Sequence, residues 1–177
     1  MRYSYEKIIN SCRFQNDFVN GSLGFDKAKE IENNIADKII KYRNDNDDII
    51  FTYDTHYDNY LNTYEGKHLP VTHCIENTDG HKLYGVIESL KNENDKCFNK
   101  NTFGSKDLFL YLLENNYSQI ELCGVVTNIC VISNAVLAKT AQPEIDIIVD
   151  KNCVASNDDT LNNNALDVMK SLHITVI

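Results

Sequence analysis

The sequence predicts an α/β fold in which helices cover both faces of a mostly parallel sheet. Two observations support this prediction. Short apolar segments typical of buried strands alternate along the chain with longer segments whose apolar residues recur at helical spacing. In addition, polar side chains directly follow several strand segments, which is where a parallel sheet collects its ligand-binding groups.

The first half of the chain is predicted to contain two strands and one helix. In chain order the elements are a strand at 8–12, a turn-rich loop at 14–24, a helix at 27–42, a strand at 48–53 and a long polar loop at 57–80. Asn10 and Ser11 interrupt the first strand, which makes it the weakest of the set. Long loops of this kind often carry function.

The second half continues the alternation of strands and helices. The predicted elements are a strand at 96–100, a helix through 108–113, a strand at 120–123, a helix through 131–138, a strand at 145–150, a helix through 161–169 and a last strand at 174–177. No repeat, low-complexity tract or linker divides the chain. We therefore expect one domain over residues 1–177.

Composition excludes several classes of function. The 177 residues carry a net charge of −9 without a cluster of lysines and arginines, which argues against a nucleic-acid partner. No apolar run is long enough for a membrane span or a signal peptide, so we expect no membrane partner and a cytoplasmic location. The six cysteines are widely spaced and form no C-x-x-C pair, which favours free thiols.

The segment at 123–131, Cys-Gly-Val-Val-Thr-Asn-Ile-Cys-Val, joins a buried strand to a helix. We expect Cys130 in the first turn of that helix, with Thr127 or Asn128 as its cap. Free backbone N–H groups and the positive end of the helix dipole favour a thiolate there, and the same N–H groups can stabilise an oxyanion. The alternative is that Cys130 is a small buried hydrophobic residue.

Two further polar groups follow predicted strands. Asp54 and His56 stand two positions apart on an extended segment and point the same way, and Lys100 ends the next strand. Glu65 and His73 in the long loop add candidates, and two histidines with two carboxylates suit zinc, iron or manganese. The alternatives are a loop that simply faces water and a lysine at the surface.

Several motifs in this order resemble the isochorismatase-like cysteine hydrolases and, within them, the nicotinamidases. The resemblance implies a three-layer α/β/α sandwich and hydrolysis of a small amide such as nicotinamide to acid and ammonia through a cysteine thioester, a reaction of NAD salvage. It also implies a homo-oligomer. The motifs are Gln-Asn-Asp-Phe at 15–18, Gly-Ser-Leu at 21–23, Asp-Thr-His at 54–56, Leu-Pro-Val-Thr-His-Cys at 69–74, Asn-Thr-Asp-Gly at 77–80, Lys100 with Phe103, and Gly-Val-Val-Thr-Asn-Ile-Cys-Val at 124–131.

The resemblance also implies roles for the residues around the cysteine. Cys130 matches the nucleophile and Lys100 the lysine of the family. The backbone N–H groups of Val126 and Cys130 match the oxyanion hole, with a cis peptide bond expected between Val125 and Val126. Phe18 matches the aromatic residue that packs on the substrate ring, and Val125 also borders the substrate.

The resemblance further implies a divalent metal ion that binds the pyridine nitrogen of the substrate. Asp54, His56 and His73 match its ligands, and zinc is the ion expected first, with iron or manganese as alternatives. Glu65 lies at the separation from Asp54 that is found where a glutamate completes the site. Asn62 is the other candidate for that position.

Arg13 departs from the family pattern, which has an aspartate at this position. That aspartate takes the proton of the thiol and later passes it to the leaving amine. An arginine does neither, because it stays protonated in proteins. Two alternatives to a competent nicotinamidase-like enzyme therefore stand: a binding protein that has lost turnover, and an isochorismatase-type hydrolase of another small substrate, which needs no metal.

Overall fold

The centre of the fold is a six-stranded sheet in the order β3-β2-β1-β4-β5-β6, and every pairing in it is parallel. This computed structural model describes residues 7–177; the first six residues, which include part of the segment where we expect no signal peptide, lie outside the described part. The predicted α/β class is confirmed. The strands are β1 (Lys7–Cys12), β2 (Asp48–Asp54), β3 (Lys96–Lys100), β4 (Gln119–Val125), β5 (Asp146–Ala155) and β6 (Thr175–Val176).

Helices cover both faces of the sheet. Ile9 faces a buried cluster with α3 and α5, whereas its neighbour Ile8 faces a second cluster with α6, α7 and α8, because successive strand residues point to opposite faces. Within residues 7–177 no helix is both long and apolar enough to cross a membrane. The helices are α1 (Asn16–Val19), α2 (Asp26–Glu30), α3 (Glu32–Asn44), α4 (Tyr64–His68), α5 (Gly85–Leu90), α6 (Lys106–Glu114), α7 (Ile132–Ala141) and α8 (Asp159–Ser171).

The structure differs from the predicted elements in several places, and the helices α4 and α5 lie where no helix was predicted. The single helix expected at 27–42 is divided into α2 and α3 at Ile31, and Ala28, Ile31 and Ile35 all belong to one buried cluster. A short helix, α1, forms within the predicted loop at 14–24. Strand β5 is longer than expected because it resumes pairing with β4 after a register shift.

The weakly predicted strand β1 lies at the centre of the sheet. It pairs with β2 on one side and β4 on the other, so its backbone is hydrogen-bonded along both edges even though Asn10 and Ser11 are polar. Gly124 of β4 has a φ of +111°, and a Cβ atom there would collide with the carbonyl group of Cys12. Glycine is therefore required where β4 approaches the end of β1.

Candidate active site

Four neighbouring strands bring the candidate site together at their carboxyl ends. Arg13 follows β1, Asp54 ends β2 and Lys100 ends β3, while the turn after β4 carries Cys130. Because these strands lie side by side, the four side chains meet although Arg13 and Cys130 are 117 positions apart in the chain. This is the edge of the sheet at which a parallel α/β fold places its ligands.

The sulfur of Cys130 lies between two cationic groups. Arg13 Nη1 is 2.6 Å from the sulfur and Lys100 Nζ is 3.5 Å from it. All three residues are buried. Positive charges this close, in surroundings that exclude water, stabilise a thiolate relative to the neutral thiol. The geometry therefore suits Cys130 to act as a nucleophile.

The backbone around Cys130 agrees with the family pattern in one respect and corrects the predicted cap in another. The expected cis peptide bond between Val125 and Val126 is present. A π-helical turn carries Cys130 into α7, and neither Thr127 nor Asn128 caps it, because Val126 holds the cap position. The side-chain oxygen of Asn128 instead accepts a hydrogen bond from a serine that follows β5.

Asn134 holds this turn in place, although it was not among the predicted site residues. Its Nδ2 donates to the carbonyl of Cys130 at 2.7 Å and to that of Phe103 at 3.2 Å, and its Oδ1 accepts from the backbone N–H of Ser105 at 2.8 Å. The side chain is fully buried. An asparagine four residues after a candidate nucleophile, in a helix that is mostly apolar, is the signal that could have identified it, because a buried amide needs partners.

Arg13 contacts three components of the site at once. Besides the sulfur, its guanidinium lies 2.9 Å from Asp54 Oδ2 and 3.6 Å from the centre of the Phe18 ring. Burial alone would lower the pKa of Arg13, but the neighbouring Cys130 and Asp54 raise it above its ordinary value. The guanidinium therefore stays protonated. One face of Phe18, where the substrate ring is expected, is covered by Arg13.

The backbone at Arg13 is in the left-handed region, with a φ of +50°. Residues other than glycine rarely adopt this conformation, and aspartate and asparagine adopt it more readily than arginine. The backbone therefore fits the aspartate of the family pattern better than it fits the residue present.

Asp54 is the carboxylate that links the two halves of the site. Its Oδ1 lies 3.1 Å from Lys100 Nζ, and its Oδ2 faces Nε2 of His56 at 3.6 Å and of His73 at 3.5 Å. Burial alone would raise the pKa of Asp54, but Arg13 and Lys100 beside it hold that pKa well below its usual range. Asp54 is therefore an anion that two cations already balance.

Asp54, His56, Glu65 and His73 form a cluster that fits a metal ion. Their ligand atoms all lie within 4.8 Å of one another. Among the described residues the Nε2 atoms of both histidines are buried without a hydrogen-bond partner. His73 Nδ1 lies 2.8 Å from the carbonyl oxygen of Val71, which favours the tautomer whose Nε2 can bind a metal. Two imidazoles and two carboxylates suit zinc, iron or manganese.

Of the two candidates for the remaining ligand, the structure brings Glu65 to the cluster. Its Oε1 lies 4.0 Å from His56 Nε2 and 3.9 Å from His73 Nε2. The side chain of Thr63 caps the helix that carries Glu65 by accepting a hydrogen bond from a backbone N–H. Asn62 is exposed to solvent. The geometry therefore favours Glu65.

Gln15 fixes the end of β2. Its Oε1 accepts from the backbone N–H of Asp54 at 2.7 Å, and its Nε2 donates to the carbonyls of Asp54 at 2.9 Å and His81 at 2.8 Å. The sequence motif contained Gln15 but gave it no role. Because this contact joins residues far apart in the chain, the structure was needed to see it.

A cleft of about 750 Å³ opens beside the cluster of Asp54, His56, Glu65 and His73, which we call the metal-type cluster. His56 and Glu65 line it, as do Phe103 and Ile129. The sulfur of Cys130 is fully buried and Arg13 is 3% exposed. A substrate that enters through this cleft would therefore meet the cluster before it reached the sulfur.

The fold and this grouping of cysteine, lysine, carboxylate and histidines define the class of the protein, a hydrolase built on a parallel α/β sheet. The family model "Isochorismatase domain" matches residues 11–177. The chain belongs to the isochorismatase family.

Several relatives are similar to this protein over most or nearly all of the chain. An isochorismatase family protein, PncA, from Bacillus subtilis (strain 168) is 30% identical over 162 residues, which cover 85% of this chain and 87% of that protein. The structure of nicotinamidase PncA from Bacillus subtilis has a TM-score of 0.85 at 28% identity, covering 97% of this chain and 98% of that one. A pyrazinamidase/nicotinamidase from Streptococcus mutans UA159 has a TM-score of 0.87 at 28% identity, covering 97% of this chain and 100% of that one.

Proposed function

We propose that the protein is a metal-assisted amidohydrolase that converts nicotinamide, or a closely related small amide, into the acid and ammonia. The observation that carries the proposal is the grouping of Cys130, Lys100 and Asp54 beside two buried imidazoles whose Nε2 atoms lack partners. Similarity to nicotinamidases over nearly the whole chain supports the choice of substrate class. One domain over residues 1–177, a homo-oligomeric state and a cytoplasmic location stay predictions.

Asp54, His56, Glu65 and His73 are the residues that would hold the metal ion. A divalent ion at this cluster would orient the substrate by binding its ring nitrogen and would withdraw electron density from the ring. The chain itself supplies the wall around that ring, which includes Phe18.

Cys130 is the proposed nucleophile. Its thiolate would attack the carbonyl carbon of the amide and form a carbon–sulfur bond, while the carbonyl oxygen becomes an oxyanion near the N–H groups of Val126 and Cys130. Collapse of this intermediate breaks the carbon–nitrogen bond and leaves a thioester. Water then attacks the thioester, which releases the acid and restores the thiolate.

Lys100 is the residue best placed to move protons in this cycle. The leaving nitrogen needs one proton to depart as ammonia, and the Lys100 ammonium, 3.5 Å from the sulfur, can supply it. The neutral amine that results can accept a proton from the attacking water, which closes the cycle. Arg13 contributes charge only. Because Asp54 also holds the Lys100 ammonium, we expect turnover to be slow.

The test of this proposal is the release of ammonia from nicotinamide by the full chain in the presence of zinc. We expect a slow rate that a Cys130→Ala variant abolishes. A rate equal to that of the variant would exclude hydrolysis of this substrate. An isochorismatase-type activity would instead be independent of added metal and of a chelator.

A binding protein without turnover is the second candidate, and the contact of Arg13 with both Cys130 and Asp54 favours it. This function predicts that nicotinamide raises the melting temperature of the protein while no acid forms. Product analysis of the same samples separates the two candidates, because only the hydrolase yields acid and ammonia.

A further inference from the structure

Arg13 contacts the same oxygen of Asp54 that the metal-type cluster needs. Oδ1 of Asp54 already pairs with Lys100 at 3.1 Å, so Oδ2 is the oxygen left for a metal ion. That oxygen faces the partnerless Nε2 atoms of His56 and His73 at 3.6 and 3.5 Å. Arg13 Nη2 lies 2.9 Å from it. A metal ion and a guanidinium would therefore share one carboxylate oxygen.

The charges at the site make this arrangement unfavourable for a metal ion. Asp54 and Glu65 give the cluster two negative charges, which would balance a divalent ion. Arg13 and Lys100 both pair with Asp54, and Arg13 also contacts the sulfur of Cys130. Compared with the family pattern, arginine in place of aspartate removes one negative charge and adds one positive charge next to the cluster. Like charges that are buried together repel strongly because little water screens them.

Arg13 is held firmly in this position. The guanidinium is stacked on Phe18 at 3.6 Å, its Nη1 contacts the Cys130 sulfur at 2.6 Å, and it is 3% exposed. It stays charged at every ordinary pH. It therefore cannot remove its charge by losing a proton when a metal ion arrives, and a shift of its side chain would break three contacts.

We propose that Arg13 sets the metal affinity of the cluster, and that it does so by competing with the metal ion for Asp54 Oδ2. The protein accordingly binds divalent metal more weakly than the same four ligands do without Arg13. This inference rests on the metal site of the proposed function and specifies how this chain regulates it.

The experiment measures the affinity of the full chain for Zn²⁺ by competition with a chromophoric chelator, without substrate. Arg13→Met removes the charge but keeps an unbranched side chain that can still pack on Phe18, and Lys100 still pairs with Asp54. We expect Arg13→Met to bind zinc at least tenfold more tightly than the unmodified protein. Arg13→Gln, which is neutral and polar, should show the same change, and Arg13→Lys should stay within about threefold of the unmodified protein.

Two further variants make the measurement specific. Arg43 pairs with Asp95 through two contacts of 3.0 and 2.8 Å, away from the cluster, so Arg43→Met removes an arginine–carboxylate pair of the same kind. It should leave zinc affinity unchanged. His73→Ala should abolish tight binding, which separates the cluster from surface sites such as Cys97.

Equal zinc affinity in the unmodified protein, Arg13→Met and Arg13→Gln would overturn the inference, as would tight binding that survives His73→Ala. If circular dichroism shows that Arg13→Met does not fold, Arg13→Gln replaces it in the comparison of zinc affinities. Ammonia release is measured separately on the unmodified protein. If the unmodified protein releases ammonia but binds zinc as tightly as the Arg13 variants do, only this inference is overturned. If the variants bind zinc tenfold more tightly but the unmodified protein releases no ammonia, only the hydrolase assignment is overturned.

Discussion

Arg13 Nη1 lies 2.6 Å from the Cys130 sulfur, the shortest of the contacts that join the ends of β1 and β4 at the site. The contact pairs a permanently charged guanidinium with the proposed nucleophile. It can hold a thiolate by charge, but it provides no group that exchanges protons. The consequences for catalysis, stability and metal binding can be measured separately.

Restoring an acidic residue at position 13 should raise turnover. Arg13→Asp supplies a group that can take and return a proton beside Cys130, and the left-handed backbone at this position suits aspartate. We expect ammonia release from nicotinamide to rise by at least ~100-fold, since one member of a cooperating catalytic set commonly accounts for several orders of magnitude. The double variant with Cys130→Ala should be inactive. An unchanged rate in Arg13→Asp would mean that the limit on turnover lies elsewhere.

Removing the ammonium of Lys100 should reduce hydrolysis without unfolding the protein. In Lys100→Met the Asp54 carboxylate keeps Arg13 as its partner at 2.9 Å, so no buried charge is left alone. We expect kcat/KM to fall by ~100-fold or more, because proton transfer by a positioned group contributes a factor of that size. Lys106→Met, at an exposed position on α6, is the control and should keep full activity. Equal rates for both variants would remove Lys100 from the mechanism.

Asn134→Ala should destabilise the fold. The change removes three hydrogen bonds and leaves the backbone N–H of Ser105 and the carbonyl of Cys130 without their partner. We expect the free energy of unfolding in urea to fall by about 2–3 kcal/mol, the cost of leaving such buried groups unsatisfied. Asn164→Ala, at an exposed position in α8, should change it by less than about 0.5 kcal/mol. A loss below that size for Asn134→Ala would show that other groups or water replace the lost bonds.

The ion pairs of Lys38 should make the folded protein less stable at alkaline pH. Its ammonium lies 2.7 Å from Glu121 and 3.0 Å from Asp150. Burial alone would lower the pKa of Lys38, but these two carboxylates raise it above its ordinary value of 10.5. Because the folded-state pKa is the higher one, the stability from this group is complete below 10.5 and is lost as pH rises through the folded-state pKa.

The measurement compares unfolding of the unmodified protein and Lys38→Met in urea as a function of pH. The difference in unfolding free energy should be constant between about pH 7 and pH 9 and should shrink above about pH 10.5. Lys41→Met, in the same helix but exposed, should give a difference near zero at every pH. A Lys38 difference that grows with rising pH would contradict the assigned sign.

The strand ends were predictable because each catalytic candidate directly follows an apolar strand segment, and that local pattern survives in any parallel sheet. The break in the helix at Ile31 was not, since the apolar residues on either side of it recur at the spacing of one continuous helix. The roles of Gln15 and Asn134 were not predicted, for a related reason. Their partners, Asp54 and Ser105, are 39 and 29 positions away, and side-chain identity alone does not reveal such pairs.

Arg13 was identified from the sequence, but most of its contacts were not. The sequence identified it as the departure from the family pattern. It did not reveal that the guanidinium also reaches Asp54 and covers Phe18, because both contacts depend on how the first turn after β1 is oriented. Strand β1 was only weakly predicted because Asn10 and Ser11 interrupt its apolar run. It forms in the structure because β2 and β4 pair with it on both sides.

The order of the strands has a consequence for how the site is acquired during folding. Its residues come from β1, β2, β3 and the turn after β4, so β4 must dock beside β1 before the nucleophile meets its neighbours. Contacts between residues this far apart form slowly because a long segment of chain must be ordered first. A fragment that ends before β4 would contain every proposed metal ligand but not Cys130, so the ligand set and the nucleophile are completed at different chain lengths during synthesis.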